Sequence, residues 1–215
     1  MRVRPAFSRT PTMAALLDRL IALLSALARI GAWLGGALLL AASFMIGAEV
    51  LLRRLAGISL GGADEISGYI LAVTSAWAFG FSLLARAHVR IDTIYALLPQ
   101  RLRAILDLFA LALTTFFFGF TAWFAWAQLM RSVSLGARAM TPLQTPLAIP
   151  QALWVAGLIS FVALAALLWL RSLLAVLAGD LATSARLIGS RTARQEVEQE
   201  IAEAQAILSR DPARK

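Results

Sequence analysis

Cysteine is absent from the 215-residue chain and histidine occurs once. Without cysteine there is no disulfide framework, thiolate zinc site, iron–sulfur centre or cysteine nucleophile, and one histidine cannot build a bis-histidine haem site or a histidine metal cluster. No cofactor, metal or catalytic group is therefore expected, and the chain does not read as an enzyme. Charge is also scarce, with 15% charged residues against 60% hydrophobic ones. That balance lies outside the globular average and points to a membrane protein. The formal net charge of +8 marks either nucleic-acid binding or membrane topology, and the distribution of the arginines favours topology, with no nucleic acid as partner.

What is present is four long apolar stretches, Ile30 to Leu52, Ile66 to Ala85, Ile105 to Met130 and Ala152 to Leu177. Each is long enough for a hydrocarbon core of about 30 Å. Arg2, Arg4, Arg9, Arg19 and Arg29 precede the first, and Arg86, Arg90, Arg101 and Arg103 lie between the second and third. The alternate loops hold only Arg53 with Arg54, and Arg131 with Arg138. Short cytoplasmic loops keep the arginine excess, so both termini are expected in the cytoplasm. The fold class expected is an all-α membrane protein of four transmembrane helices with interfacial amphipathic helices. Residues 1–29 form a cytoplasmic N-terminal segment, 30–177 the four-helix domain and 178–215 a charged, helical cytoplasmic tail.

The charged lead of residues 1–29 is too long for the n-region of a signal peptide, so the first span is expected to remain as an anchor. Within that lead, Leu16, Leu20, Leu23, Leu24 and Leu27 repeat at helical spacing opposite Asp18, Ser25 and Arg29. This pattern predicts an amphipathic helix on the inner leaflet or an extension of span one. Ile91, Ile94, Tyr95 and Leu98 predict a second surface helix, ended by Pro99. Pro142, Pro146 and Pro150 predict an extended, semi-rigid outer loop. In the tail, Val197, Ile201, Ala204 and Leu208 draw an apolar stripe through a Glu-rich helix, which is either solvated or a partner-binding coil. Trp154 and Trp169 flank span four about 22 Å apart, a belt-to-belt distance, and Trp33, Trp123 and Trp126 also sit near span ends. Trp77 falls mid-span and is expected to pack against another helix.

A self-contained carrier needs polar groups or broken helices near the midplane. The spans offer only hydroxyls, Ser43, Thr74, Ser75, Thr114, Thr115 and Ser160, which can bond back along their own helices. Ionisable residues gather at the ends. Outside, Arg53 or Arg54 is expected to pair with Asp64 or Glu65 across a tight hairpin, unless these groups merely end the helices. Glu49 is expected to pair with Arg53 at i, i+4, with a proton-carrying acid as the alternative. Inside, Arg86, His88, Arg90 and Asp92 follow span two; a structural or interfacial role is expected for His88, and Asp107 complements the start of span three.

The ordered set Glu49, Arg53, Asp64, Glu65, Tyr69, Trp77, Gly80, Arg86, His88, Val89, Asp92 and Pro99 resembles the small membrane subunit, DctQ-like, of tripartite ATP-independent periplasmic (TRAP) transporters. The family often has Pro-Trp before its acidic pair, where this chain has Gly61 and Gly62. The resemblance implies a multi-pass protein of the bacterial inner membrane, partnered by a large multi-span transport subunit and a periplasmic substrate-binding protein. Together they would import an organic acid with sodium by symport. It implies that the small subunit braces the large one, and Gly35, Gly36, Gly47, Gly68 and Gly80 would allow close helix approach. The alternatives are a small subunit of a tricarboxylate-type tripartite carrier, a redox-complex membrane anchor, which the lone histidine disfavours, and a proton-coupled exporter using Glu49. A reporter active only in the periplasm, fused after Lys215, should stay silent; strong activity would overturn the arginine-based orientation.

Overall fold

The computed structural model describes residues 11–59, 61–85 and 98–189, with isolated helical positions at 201 and 205. The expectations for Arg86, His88, Val89, Arg90 and Asp92, for the surface helix over Ile91 to Tyr95, and for most of the tail stripe lie outside these residues. Among the described residues five helices are seen: α1 (Pro11–Ala56), α2 (Ala63–Ala85), α3 (Gln100–Ser134), α4 (Ala148–Leu177) and α5 (Leu181–Ile188). The first four are long and apolar enough to cross a membrane. Among the described residues the sole β feature is an isolated bridge between Arg138 and Pro146.

The separate surface helix considered for residues 16 to 27 is not observed. Those residues continue into span one as a single 46-residue helix, about 69 Å long at 1.5 Å per residue. No glycine, proline or cap breaks it between Leu16 and Ile30. Ile21 and Leu24 also find apolar cover inside the protein, against a cluster of Leu111, Leu164, Ala165 and Leu168. A buried face of Leu17, Ser25 and Ala28 follows the same turn, so residues that looked like a leaflet-facing stripe share their helix with a bundle-facing one.

Helix α4 is the hub, packing against α1, α2, α3 and α5. Its buried face, Val155, Leu158, Phe161, Leu164, Ala165, Leu168, Ser172 and Ala175, keeps the three-and-four spacing of a packed helix. Near its outer half Ala76, Ala122, Ala125 and Leu129 close around Val155 and Leu158. Between the two apolar clusters the rings of Phe79, Phe118 and Phe161 meet with centroids 4.6 to 5.9 Å apart, in the tilted and edge-to-face arrangements that aromatic quadrupoles prefer.

Small residues set the closest approaches. A Cβ placed on Gly31 would lie 2.7 Å from Trp77 Cε3, and one on Gly157 would lie 2.9 Å from Trp77 Cδ1. Trp77 therefore fills a slot between α1 and α4, as its mid-span position predicts, and its indole N–H donates to the Leu153 carbonyl at 3.0 Å. One α-turn inward, a Cβ on Gly80 would lie 3.0 Å from Ala28 Cβ and 3.8 Å from Leu164 Cδ2. Gly35 and Gly80 thus serve contacts within the chain, whereas Gly36, Gly47 and Gly68 face open space. Trp169 also differs from a lipid-facing belt residue, because its indole donates to the Leu108 carbonyl at 3.1 Å and ties α4 to α3.

The inner end closes on hydrogen bonds and one ion pair. Gly179, at φ 80°, lets α4 end with the Gly179 amide on the Val176 carbonyl and the Asp180 amide on the Ala175 carbonyl, a Schellman termination. Asp180 then caps α5, accepting from the Thr183 amide at 3.0 Å. The Thr183 hydroxyl donates to the other carboxylate oxygen at 2.6 Å, and this bond together with the amide bond holds the Asp180 carboxyl below its ordinary range. Arg171 of α4 donates to Asp18 of α1 at 2.9 Å. Asp107 is buried two turns inside α3, which starts at Gln100. The expected dipole role at the start of span three does not apply there, because that field acts over the first turn.

The outer loop is folded, not extended. The Ala139 amide donates to the Thr145 carbonyl, Leu147 to Ala137 and Gln144 to Thr141, so the loop doubles back between α3 and α4. Pro150 lies in the first turn of α4, where a missing N–H leaves no helical bond unmade. We expect Gly157→Ala to destabilise the protein by about 1–3 kcal/mol through overpacking against Trp77. Gly36→Ala, into open space, should be neutral or stabilising by up to about 1 kcal/mol. Thermal unfolding in detergent reads both, and equal melting of the two variants would contradict the slot.

Candidate functional site

The polar chemistry of the described residues is concentrated where the C-terminal end of α1 meets the start of α2, the end expected from the arginine distribution to lie outside. Glu49 lies on the last stretch of α1, on the face turned inward, and is 4% exposed. Arg53, four residues on, reaches back to Glu49 Oε1 with Nη2 at 2.5 Å and Nε at 3.2 Å. The chain leaves α1 through Gly57 at φ 68° and returns beside the helix, so that the Ser59 hydroxyl donates to the same oxygen at 2.7 Å. Ser59 Oγ in turn accepts from the Gly61 amide at 3.2 Å. A helix end, a reversal and a serine thus close around one carboxylate.

The second cluster lies at the start of α2. Glu65 accepts from the Tyr69 hydroxyl at 2.9 Å through Oε1 and from the Thr141 hydroxyl through Oε2. Thr145 also lies close to this carboxylate. The outer loop is thereby anchored to α2, and Leu143 packs over Gly62. The loop carries Gln144 at φ 47°, a left-handed conformation uncommon for a non-glycine residue, held by the Arg138 hydrogen bond to the Gln144 carbonyl at 3.2 Å.

Arg53 therefore pairs with Glu49 and not with Asp64 or Glu65. The i, i+4 partner is already on its own helix, while Glu65 is saturated by hydroxyls from Tyr69 and the loop. Asp64 is exposed and reaches Arg53 only as a longer-range attraction. Of the residues singled out from sequence, Glu49 joins Arg53, Glu65 joins Tyr69, and Trp77 and Gly80 lie in the helix contacts already described. Ser59, Thr141, Thr145 and the Asp18–Arg171 pair escaped sequence reasoning. Each is a polar residue whose partner depends on tertiary return of the chain, and no local spacing announces it.

What the arrangement can do chemically is hold rather than exchange. The acceptors of Glu49 and Glu65 are occupied by donors of this chain. Deeper in the spans, hydroxyls bond back to their own helices: Ser43 to the Leu39 carbonyl, Ser75 to Leu71, Thr114 to Ala110 and Thr115 to Leu111. Thr74, packed on Gly35, and Ser172 of α4 are exceptions, buried hydroxyls without a hydrogen-bond partner among the described residues. The outward surface is apolar, with Leu38, Phe44 and Leu55 exposed on α1 and Phe116, Phe120, Trp123 and Phe124 on α3.

The family model for tripartite ATP-independent periplasmic transporters, DctQ component, matches residues 42–177. That range runs from within α1 to the end of α4 and covers more than half of the chain. No curated protein and no solved structure matches.

Arg53→Ala should lower thermal stability by leaving the buried Glu49 carboxylate with less compensation. Asp64→Ala should change it by no more than about 0.5 kcal/mol, as befits an exposed position. Glu65→Ala should speed amide exchange across residues 137–147 by releasing the loop. Equal effects of Arg53→Ala and Asp64→Ala would contradict the i, i+4 clasp.

Proposed function

The chain belongs to the DctQ component family of tripartite ATP-independent periplasmic transporters, and on that premise we propose that it is the small subunit that braces a large multi-span transport subunit. The cargo in this reading is an organic acid, captured by a periplasmic substrate-binding protein and carried inward with sodium through the large subunit. The protein lies in the bacterial inner membrane with both termini and the Arg86 to Arg103 segment in the cytoplasm, in keeping with the arginine distribution.

Family membership carries the reading, and the disposition of polar groups supports it. A substrate path needs unsatisfied donors and acceptors lining a route through the bilayer. Here Glu49 and Glu65 are consumed in clasps, and most span hydroxyls are consumed in their own helices. The large exposed side chains of α1 and α3 are apolar, suited to lipid and to the flank of another membrane protein. Within a bilayer such a flank is held by close packing and interhelical polar contacts, since apolar area alone provides little drive between helices.

Liposomes containing this chain alone should take up no organic acid under an inward sodium gradient, whereas the chain co-expressed with its large subunit should co-purify with it. Sodium-driven uptake by the chain alone would overturn the bracing role.

A further inference from the structure

From Glu49 back to Arg29, α1 covers about 30 Å, one hydrocarbon thickness. The stretch from Pro11 to Ala28 therefore projects about 26 Å past the inner boundary of the span. Its charges agree, since Asp18 and Arg19 are both exposed there. Yet Met13, Leu16, Leu20, Leu23 and Leu27 are exposed on the same stretch, Leu16 at 58% and Leu23 at 66%. Lipid tails cover the exposed side chains of the span itself, but not these. α1 runs unbroken into its span, so the stretch does not turn flat to bury the stripe in the leaflet.

The stripe alternates steps of three and four residues, the seam of a left-handed coiled coil. A contiguous apolar surface of this kind, set between charges, marks a contact with another protein element. A matching seam lies in the tail of the same chain. Val197, Ile201, Ala204 and Leu208 step by four, three and four, and Ile201, at a helical position, is itself 51% exposed. The two seams measure about 21 Å from Met13 to Leu27 and about 17 Å from Val197 to Leu208 as helices. We propose that the segment from Val197 to Leu208 folds back on its own chain and covers the Met13–Leu27 stripe of α1 as an antiparallel two-helix coil.

Tether length, direction and charge select this occupant. Leu187 and Ile188, at the end of α5, pack on the same apolar cluster as Ile21 and Leu24 of α1. The tail thus sets out level with the stripe, and the residues from Gly189 to Val197 reach up to about 26 Å, more than two helix diameters. The span boundary at Arg29 blocks the outward direction, so the tail runs inward, opposite to α1. Val197 then faces Leu27, Ile201 faces Leu23, Ala204 faces Leu20 and Leu208 faces Leu16. Residues 195–206 carry Glu196, Glu198, Glu200 and Glu203 and no basic residue. On α1, Asp18 is taken by Arg171, whereas Arg19 has no ion pair among the described residues and follows Arg2, Arg4 and Arg9 in sequence. A second copy of α1 would bring arginines to arginines; the tail brings glutamates.

The chain has no cysteine, so introduced pairs report on this contact alone. In native membranes, mild oxidation of full-length protein carrying Leu23→Cys with Ile201→Cys should close an intramolecular disulfide. Ala22→Cys with Ile201→Cys, which starts from a different face of α1, should form at least tenfold less. Leu20→Cys alone should react slowly with a permeant maleimide, and at least fivefold faster once Ile201→Asp and Leu208→Asp are added. Equal cross-linking of the two pairs would overturn the proposal, as would a maleimide rate that ignores the tail substitutions, whether fast or slow. Disulfide-linked dimers from Leu23→Cys alone would assign the stripe to a second copy and overturn it too. None of these outcomes depends on recovery of the large subunit, so the bracing role stands or falls separately.

Discussion

Inside a hydrocarbon layer a polar group has no water to fall back on, and the organisation of this protein follows from that constraint. Backbone groups are satisfied by making the spans helical. Most side-chain groups of the spans are satisfied one by one, by bonding back along the helix, by pairing at i, i+4 or by joining a returning loop, with the buried hydroxyls of Thr74 and Ser172 as exceptions. Ser43, Ser75, Thr114 and Thr115 use the first device, Glu49 with Arg53 the second, and Glu65 with Thr141 the third. Each of these solutions occupies a group that a transport path would need free.

The same constraint governs where the helices touch. Between apolar helices in lipid there is little hydrophobic gain, and contact depends on how closely backbones approach. Gly31 and Gly157 admit the Trp77 ring, and Gly80 admits Ala28 and Leu164. Where such a contact also contains a donor, it is used: the indoles of Trp77 and Trp169 each reach a carbonyl on another helix. These two tryptophans act as keys between helices, in contrast to Trp33 and Trp123, which stay exposed.

The helical class and the four spans were legible because periodicity and hydropathy are local. So was the Glu49–Arg53 pair, since both residues lie on one helix a turn apart. Residues 16 to 27 were harder, because their leucines suit a leaflet-facing stripe and a bundle-facing one equally well; Leu17 and Ala28, buried on the adjacent face, resolve the choice only in three dimensions. The expected pairing of Arg53 with Asp64 or Glu65 failed for a related reason. It assumed that charges at one height must find each other, whereas Glu65 found Tyr69 on its own helix and the outer loop first. The prolines of that loop correctly marked the absence of continuous helix, but the hydrogen bonds that fold it could not be read from them. Pro150 shows the limit of proline as punctuation, since it sits where a helix begins.

Glu49 and Glu65 are held by partners of this chain, whereas Asp64 is left exposed. Charges near the ends of spans need no protein partner, because headgroups and water are at hand. Arg53 and Arg171 find acids within the fold, whereas Arg29 is exposed about 30 Å along α1 from Glu49, one hydrocarbon thickness away, where headgroups are within reach of its side chain. The contrast separates two kinds of polar residue in this chain. One kind holds the four helices in register and is complete within the fold. The other stays exposed toward the span ends, where headgroups and water complete it.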